Sequence, residues 1–202
     1  MFERFLSKYP VESRGTGARW DVPELRSIAG YDELWSQVGD APLCDGLLRL
    51  VDAASGRNAS SFVREGFPEL STRAVPFAVD WIGRVVAIDL GRPPGLLLIE
   101  PGSGQAFEID ESFHDYFDID LVDDPMTLLE SNLFGAWRNA GGLIPTNGQC
   151  VGFKVPLFLG GRGDVPNMEV TDLEVYWDVS AQLWAQARTL TPGTKISQVT
   201  DG

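Results

Sequence analysis

Val75-Pro76-Phe77-Ala78-Val79-Asp80-Trp81, Arg84-Val85-Val86-Ala87-Ile88-Asp89, Leu96-Leu97-Leu98-Ile99-Glu100 and Ala106-Phe107-Glu108-Ile109 are the runs that decide the fold. Each is short and apolar, and Gly or Pro separates it from its neighbour, which is strand composition bounded by turn residues. The stretch from Ala74 to Asp110 is therefore expected to be an antiparallel meander.

The pattern changes to helical spacing on both sides of the meander. Upstream, Phe2, Phe5, Leu6 and Tyr9 define a short helix closed by Pro10, and Ser13 to Ala18 is a loop. A second helix is expected from Pro23 to Val38, with Gly30 as a point where it splits. Leu47 to Val51 reads as a strand after the turn at Asp45-Gly46, and Asn58 to Phe67 as a helix with Asn58 as its N-cap.

Downstream, Asp124-Pro125 opens a helix that carries Leu129, Leu133, Phe134 and Trp137 and stops at Gly141-Gly142. Cys150 to Gly161 is an apolar strand region ending in a glycine turn. Thr171 and Glu174 fit a capping box for a helix through Thr189, with Leu173, Tyr176, Trp177, Ser180 and Trp184 on one face. The tail after Thr191 is expected to fray. The fold class is therefore α+β, an antiparallel sheet meander packed with several helices around Trp137, Leu183 and Trp184. A length of 202 residues suits one large unit or two small domains, 1–110 and 111–202.

The chain carries 16 basic and 29 acidic residues, a formal net charge of −13. The excess is uneven: residues 1–100 hold 11 basic and 14 acidic side chains, residues 101–202 hold 5 and 15. No Lys or Arg occurs from Pro93 to Trp137. This disfavours direct nucleic-acid binding, which needs clustered cations, and suits a solubilising surface or a cationic partner. The first residues lack a signal-peptide pattern and no apolar run is long enough to span a bilayer, so a cytoplasmic protein without membrane contact is expected. Cys44 and Cys150 form no metal or redox motif and are expected to be reduced and buried.

Catalytic chemistry finds little support. His114 is the only histidine, and its neighbour Asp115 is expected to point elsewhere, as adjacent residues do. The run Asp110, Glu111, Asp115, Asp118, Asp120, Asp123 and Asp124 offers many oxygens but not the order of an EF-hand loop. Gly160-Gly161-Arg162-Gly163-Asp164 lacks the lysine of a phosphate-binding loop. No cofactor and no metal are expected, and the protein is read as a non-enzyme.

Two stretches go further. Gly148 to Gly161 (GQCVGFKVPLFLGG), followed by Asn167 to Trp177 (NMEVTDLEVYW) and Gln182-Leu183, resembles the C-terminal domain of immunity proteins against type VI secretion DNase toxins. More loosely, Tyr31 with Leu34-Trp35, Asp45 to Asp52 and Pro76 to Trp81 resemble the GAD-like domain that precedes it in that family. The resemblance implies a toxin inhibitor: a protein that binds a cognate nuclease toxin and occludes its active site or DNA-binding surface. A general interaction or regulatory module without a toxin is the alternative.

On this reading the acidic run Asp110, Glu111, Asp115, Asp118, Asp120, Asp123 and Asp124 is the first candidate contact surface, because clustered carboxylates imitate phosphates. The loop with Arg162, Asp164 and Asn167 is the second. Neutralising Asp115, Asp118, Asp120 and Asp123 together is expected to weaken binding and leave the fold intact. A monomer is favoured.

Overall fold

A computed structural model describes residues 1–190; the tail after Thr191 lies outside the described residues. The meander forms as expected. Strands β1 (Pro42–Leu43), β2 (Leu48–Leu50), β3 (Ala74–Asp80), β4 (Val85–Asp89), β5 (Leu96–Glu100) and β6 (Gln105–Ile109) build one antiparallel sheet in sequence order. Val86 pairs with Leu98 and Ala87 with Leu97, and the register slips between Pro76 and Ala78, where proline has no N–H for the ladder.

The central strands are continuously apolar because both sheet faces are covered. Val79, Val85, Ala87, Leu97 and Ile99 face one core, shared with Phe62, Val63 and Trp177. Phe77, Val86, Ile88, Leu96 and Leu98 face the other, shared with Phe5, Leu34, Phe117 and Leu129. Burying each large apolar side chain contributes roughly 1.5–3 kcal/mol. At the sheet edge, residues 105–108 of β6 are exposed.

Helix α1 (Glu3–Lys8) matches its pattern. The expected helix from Pro23 is two, α2 (Pro23–Arg26) and α3 (Tyr31–Val38), because Gly30 adopts φ +88° between them. Helix α4 (Ala53–Gly66) starts earlier than expected: Asp52, not Asn58, is the N-cap, accepting from the N–H groups of Ala54 and Ser55 while the Ser55 hydroxyl meets the Asp52 N–H. A complete capping box outcompetes an isolated asparagine.

Beyond the sheet the chain makes a helical hook: α5 (Phe113–Asp115), a π-helical turn (Tyr116–Asp120) and α6 (Leu121–Asp123). The helix expected from Asp124 is α7 (Pro125–Leu128) and α8 (Ser131–Asn139), broken where Glu130 takes φ +51°. Strands β7 (Gln149–Phe153) and β8 (Met168–Asp172) form a separate antiparallel pair, and α9 (Leu173–Ala187) closes the described chain. The strand expected to run on to Gly161 ends at Phe153, and a 3-10 turn at Leu157–Leu159 follows. Thr171 does not cap α9. It lies in β8 opposite Cys150, and the carboxylate of Asp172 accepts from the N–H groups of Glu174 and Val175 instead.

The hairpin turn between β3 and β4 holds these parts together. Asp80 and Arg84 form a buried ion pair at 2.5 Å, and Asp80 also accepts from the N–H groups of Ile82 and Arg84. Burial pushes the Asp80 carboxyl up, and the Arg84 guanidinium opposes that. Arg84 Nη2 donates to the Leu128 carbonyl (2.7 Å) and Trp81 Nε1 to the Leu129 carbonyl (2.8 Å). The Gly83 carbonyl accepts from Trp177 Nε1 (2.8 Å), and the Trp81 carbonyl from Val151 N–H (2.7 Å). One turn therefore anchors the α7–α8 junction, β7 and α9, and both cores draw on residues before and after position 110.

The expected packing centre shifts accordingly. Trp81 and Trp177 are the fully buried tryptophans, each 1% exposed, while Trp137, Leu183 and Trp184 are half-buried at the periphery. Cys44 and Cys150 are buried free thiols.

Candidate functional site

The acidic run maps onto the hook, but the structure does not bring its carboxylates together as one free surface. The hook is seated by aromatic packing: Phe113 meets Phe77 edge-on at 5.1 Å, and Phe117 meets Phe5 edge-on at 5.2 Å. That seating turns some acids inward. Asp118 is buried and accepts from the N–H of Phe5 at 2.9 Å, so it caps the first turn of α1 from across the chain. Such a cap satisfies a donor the helix itself leaves open.

The other acids divide by use. Asp110 pairs with Arg92, and Asp123 pairs with Arg4 at 2.7 Å. Asp115 accepts from the Ser112 hydroxyl (2.8 Å), and Asp124 caps α7 through the Thr127 N–H (3.1 Å). The Ser112 hydroxyl, then His114, holds the Asp115 carboxyl below its ordinary range, and hydrogen bonds from Thr127 do the same for Asp124. Glu111 and Asp120 have no ion-pair partner among the described residues. Asp120 is pushed up by partial burial, then by the negative fields of Glu111, Asp115 and Asp123. The quadruple change at Asp115, Asp118, Asp120 and Asp123 therefore strikes the fold as well as the surface, because Asp118 is a buried cap.

His114 and Asp115 do meet, contrary to the expectation for neighbours: His114 Nδ1 lies 3.1 Å from Asp115 Oδ1. Both groups sit in the first turn of α5, where Ser112 draws the carboxylate toward the helix start. The imidazole packs 5.3 Å from the Phe2 ring and its Nε2 lies 3.4 Å from the Met1 carbonyl, so the ring helps hold the N-terminus.

The second candidate region is also largely self-contained. Asn167 donates to the carbonyls of Val155 (2.9 Å) and Arg162 (2.8 Å) and accepts from the Val155 N–H (3.0 Å), which staples the loop shut. Arg162 spends its charge on Asp164 at 2.6 Å. A Cβ at Gly161 would lie 1.9 Å from the Val155 carbonyl oxygen, so the glycine is required by this close approach.

The hook, α7, α8, the β7–β8 pair and most of α9 form one contiguous stretch of sequence. Residues 110–184 match the family model T6SS immunity protein Tdi1, C-terminal. That match supports a type VI secretion immunity protein. Residues 1–109 lie outside the segment matched to this immunity family, and no curated relative matches the chain. Among solved structures, the crystal structure of Atu4351 from Agrobacterium tumefaciens has a TM-score of 0.64 at 18% identity, covering 90% of this chain and 89% of that one. This likeness shows a shared fold across nearly the whole length. Among the described residues no group of His, Cys, Asp or Glu has the arrangement of a metal site, and no helix is long and apolar enough to cross a membrane.

Proposed function

We propose that this protein neutralises a nuclease toxin delivered by a type VI secretion system, by binding the toxin in the cytoplasm of the producing cell and covering its active site or DNA-binding surface. The observation that carries the reading is the match of residues 110–184 to the immunity family. Electrostatics favours the DNase class in particular: a groove that accepts DNA is lined with Lys and Arg, and a chain of net charge −13 is attracted to such a surface and repelled by DNA itself. Inhibition then proceeds by occupancy, without catalysis. Residues 1–110 act as the GAD-like half of the same binding body, fastened to the immunity half through the β3–β4 turn.

Co-expression tests this. A nuclease toxin encoded beside this gene is expected to kill a naive host, and this chain to restore growth and intact chromosomal DNA. Continued DNA degradation despite equal expression of both proteins would contradict it.

A further inference from the structure

A second group of carboxylates without close cationic partners lies away from the hook. Helices α4 and α9 pack side by side on one sheet face, and a groove of about 500 Å³ runs between them. Phe62 and Trp177 form its floor, stacked at 5.4 Å with their rings 8° from parallel. Glu65 stands on the α4 wall, Glu174 and Asp178 on the α9 wall, and no Lys or Arg among the described residues lines the groove.

These carboxylates are largely unspent. Glu174 has no side-chain partner among the described residues. Among the described residues Asp178 accepts only from Gln182 (2.9 Å), and Glu65 accepts from the Ser61 hydroxyl (2.7 Å), with Arg64 no nearer than 4.0 Å. Val175 on the same wall is 55% exposed. An apolar floor between anionic walls suits the side chain of Arg or Lys, whose stem packs on apolar surface while its head meets carboxylates.

A second observation points to the same place. The groove continues past Asn58 into a smaller recess of about 90 Å³ lined by Arg49. This guanidinium is partly buried, forms no ion pair among the described residues, and donates to a single protein acceptor, the Pro145 carbonyl at 2.9 Å. A guanidinium has five N–H donors, so most of its capacity is open to an acceptor brought by a ligand.

We propose that this groove, rather than the acidic hook, is the toxin-docking site. It takes a basic segment of the toxin, with an Arg or Lys side chain between Glu65, Glu174 and Asp178 over the Phe62–Trp177 floor, and a main-chain carbonyl of that segment at Arg49. The proposal rests on the immunity reading above. A second copy of this chain is a poor occupant, since it brings the same net charge of −13, and nucleic acid is repelled by the walls.

The test is calorimetric titration of the full chain with the catalytically inactivated toxin domain encoded beside its gene. Three variants are compared with the wild type: the groove triple Glu65→Gln, Glu174→Gln, Asp178→Asn; Arg49→Gln; and the hook double Glu111→Gln, Asp120→Asn. Asp172 is left in place because it caps α9. The groove triple is expected to weaken binding about 30-fold or more, and Arg49→Gln about tenfold, at unchanged circular dichroism. The hook double should stay within about threefold.

A folded groove triple that binds like wild type overturns the groove proposal and leaves the immunity reading standing. If wild type ignores the toxin domain, the immunity reading fails, and the groove is judged with synthetic peptides of alternating Lys and Leu or of Glu and Leu. Binding of the cationic peptide alone, lost in the groove triple, supports the groove; no binding of the cationic peptide overturns it.

Discussion

The hook and the α4–α9 groove are both acidic, yet they differ in what their carboxylates are doing. In the hook, Asp110 and Asp123 are matched to Arg92 and Arg4, Asp115 accepts from the Ser112 hydroxyl, Asp124 caps α7, and Asp118 is buried against α1. Among the described residues, Glu65, Glu174 and Asp178 of the groove have hydroxyl or amide neighbours at most, apart from Arg64 at 4.0 Å from Glu65. Charge density along a sequence therefore measures how many carboxylates exist, and only tertiary structure shows how many are available to a partner.

The largest effect expected on this comparison comes from the groove floor. Trp177→Ala removes a stacked, fully buried ring and its hydrogen bond to Gly83, and should cost about 3–5 kcal/mol in denaturant unfolding. A loss below about 1 kcal/mol would mean that α9 does not rest on the sheet through this residue.

Acid titration probes the root of the hook. Arg92 joins Asp110 to Glu108, and Arg73 joins Glu108 to the buried carboxylate of Asp89. The Arg73 guanidinium holds the Asp89 carboxyl below the ordinary aspartate range, so its contribution is present above that ordinary range and is lost as pH falls through the lower folded value. Asp89→Asn is expected to destabilise by about 1.5–3 kcal/mol at pH 7 and to flatten the acid limb of a stability-versus-pH curve. An unchanged acid limb would contradict the linkage.

Asp118→Ala leaves the Phe5 N–H without its acceptor and should cost about 1–3 kcal/mol, with α1 the first segment to lose amide-exchange protection. The smallest effect has the opposite sign. Asp120 is raised in the folded protein, so its ionised form opposes folding at neutral pH and is relieved as pH falls. Asp120→Asn should raise Tm slightly at pH 7, and the gain should vanish below pH 4; a drop in Tm at pH 7 would show that its carboxylate is used.

Much of the fold was legible in the sequence because its signals are local. The four meander runs carry their own turn residues, and Gly30 and the Asp124-Pro125 pair mark helix boundaries by backbone chemistry alone. Misplaced boundaries came from competition between caps: Asp52 with Ser55 overrode Asn58, and Asp172 overrode Thr171. The break at Glu130 had no local signal, since it coincides with the Leu128 and Leu129 carbonyls being drawn to Arg84 and Trp81.

The candidate site was less legible for the same reason. Nothing local distinguishes Asp118 from Asp120, yet one caps a helix more than a hundred residues away and the other is half-buried without an ion-pair partner among the described residues. The groove is invisible in sequence because its walls, Glu65 and Glu174, belong to helices on opposite sides of the meander and meet only when both pack on one sheet face.

Hydrogen exchange of the inhibitor with and without the toxin domain is the most direct measurement of where binding occurs. Protection on complex formation should appear over residues 58–65 of α4 and 174–182 of α9, with residues 111–124 unchanged. Protection confined to 111–124, with both groove helices exchanging as in the free protein, would contradict the account.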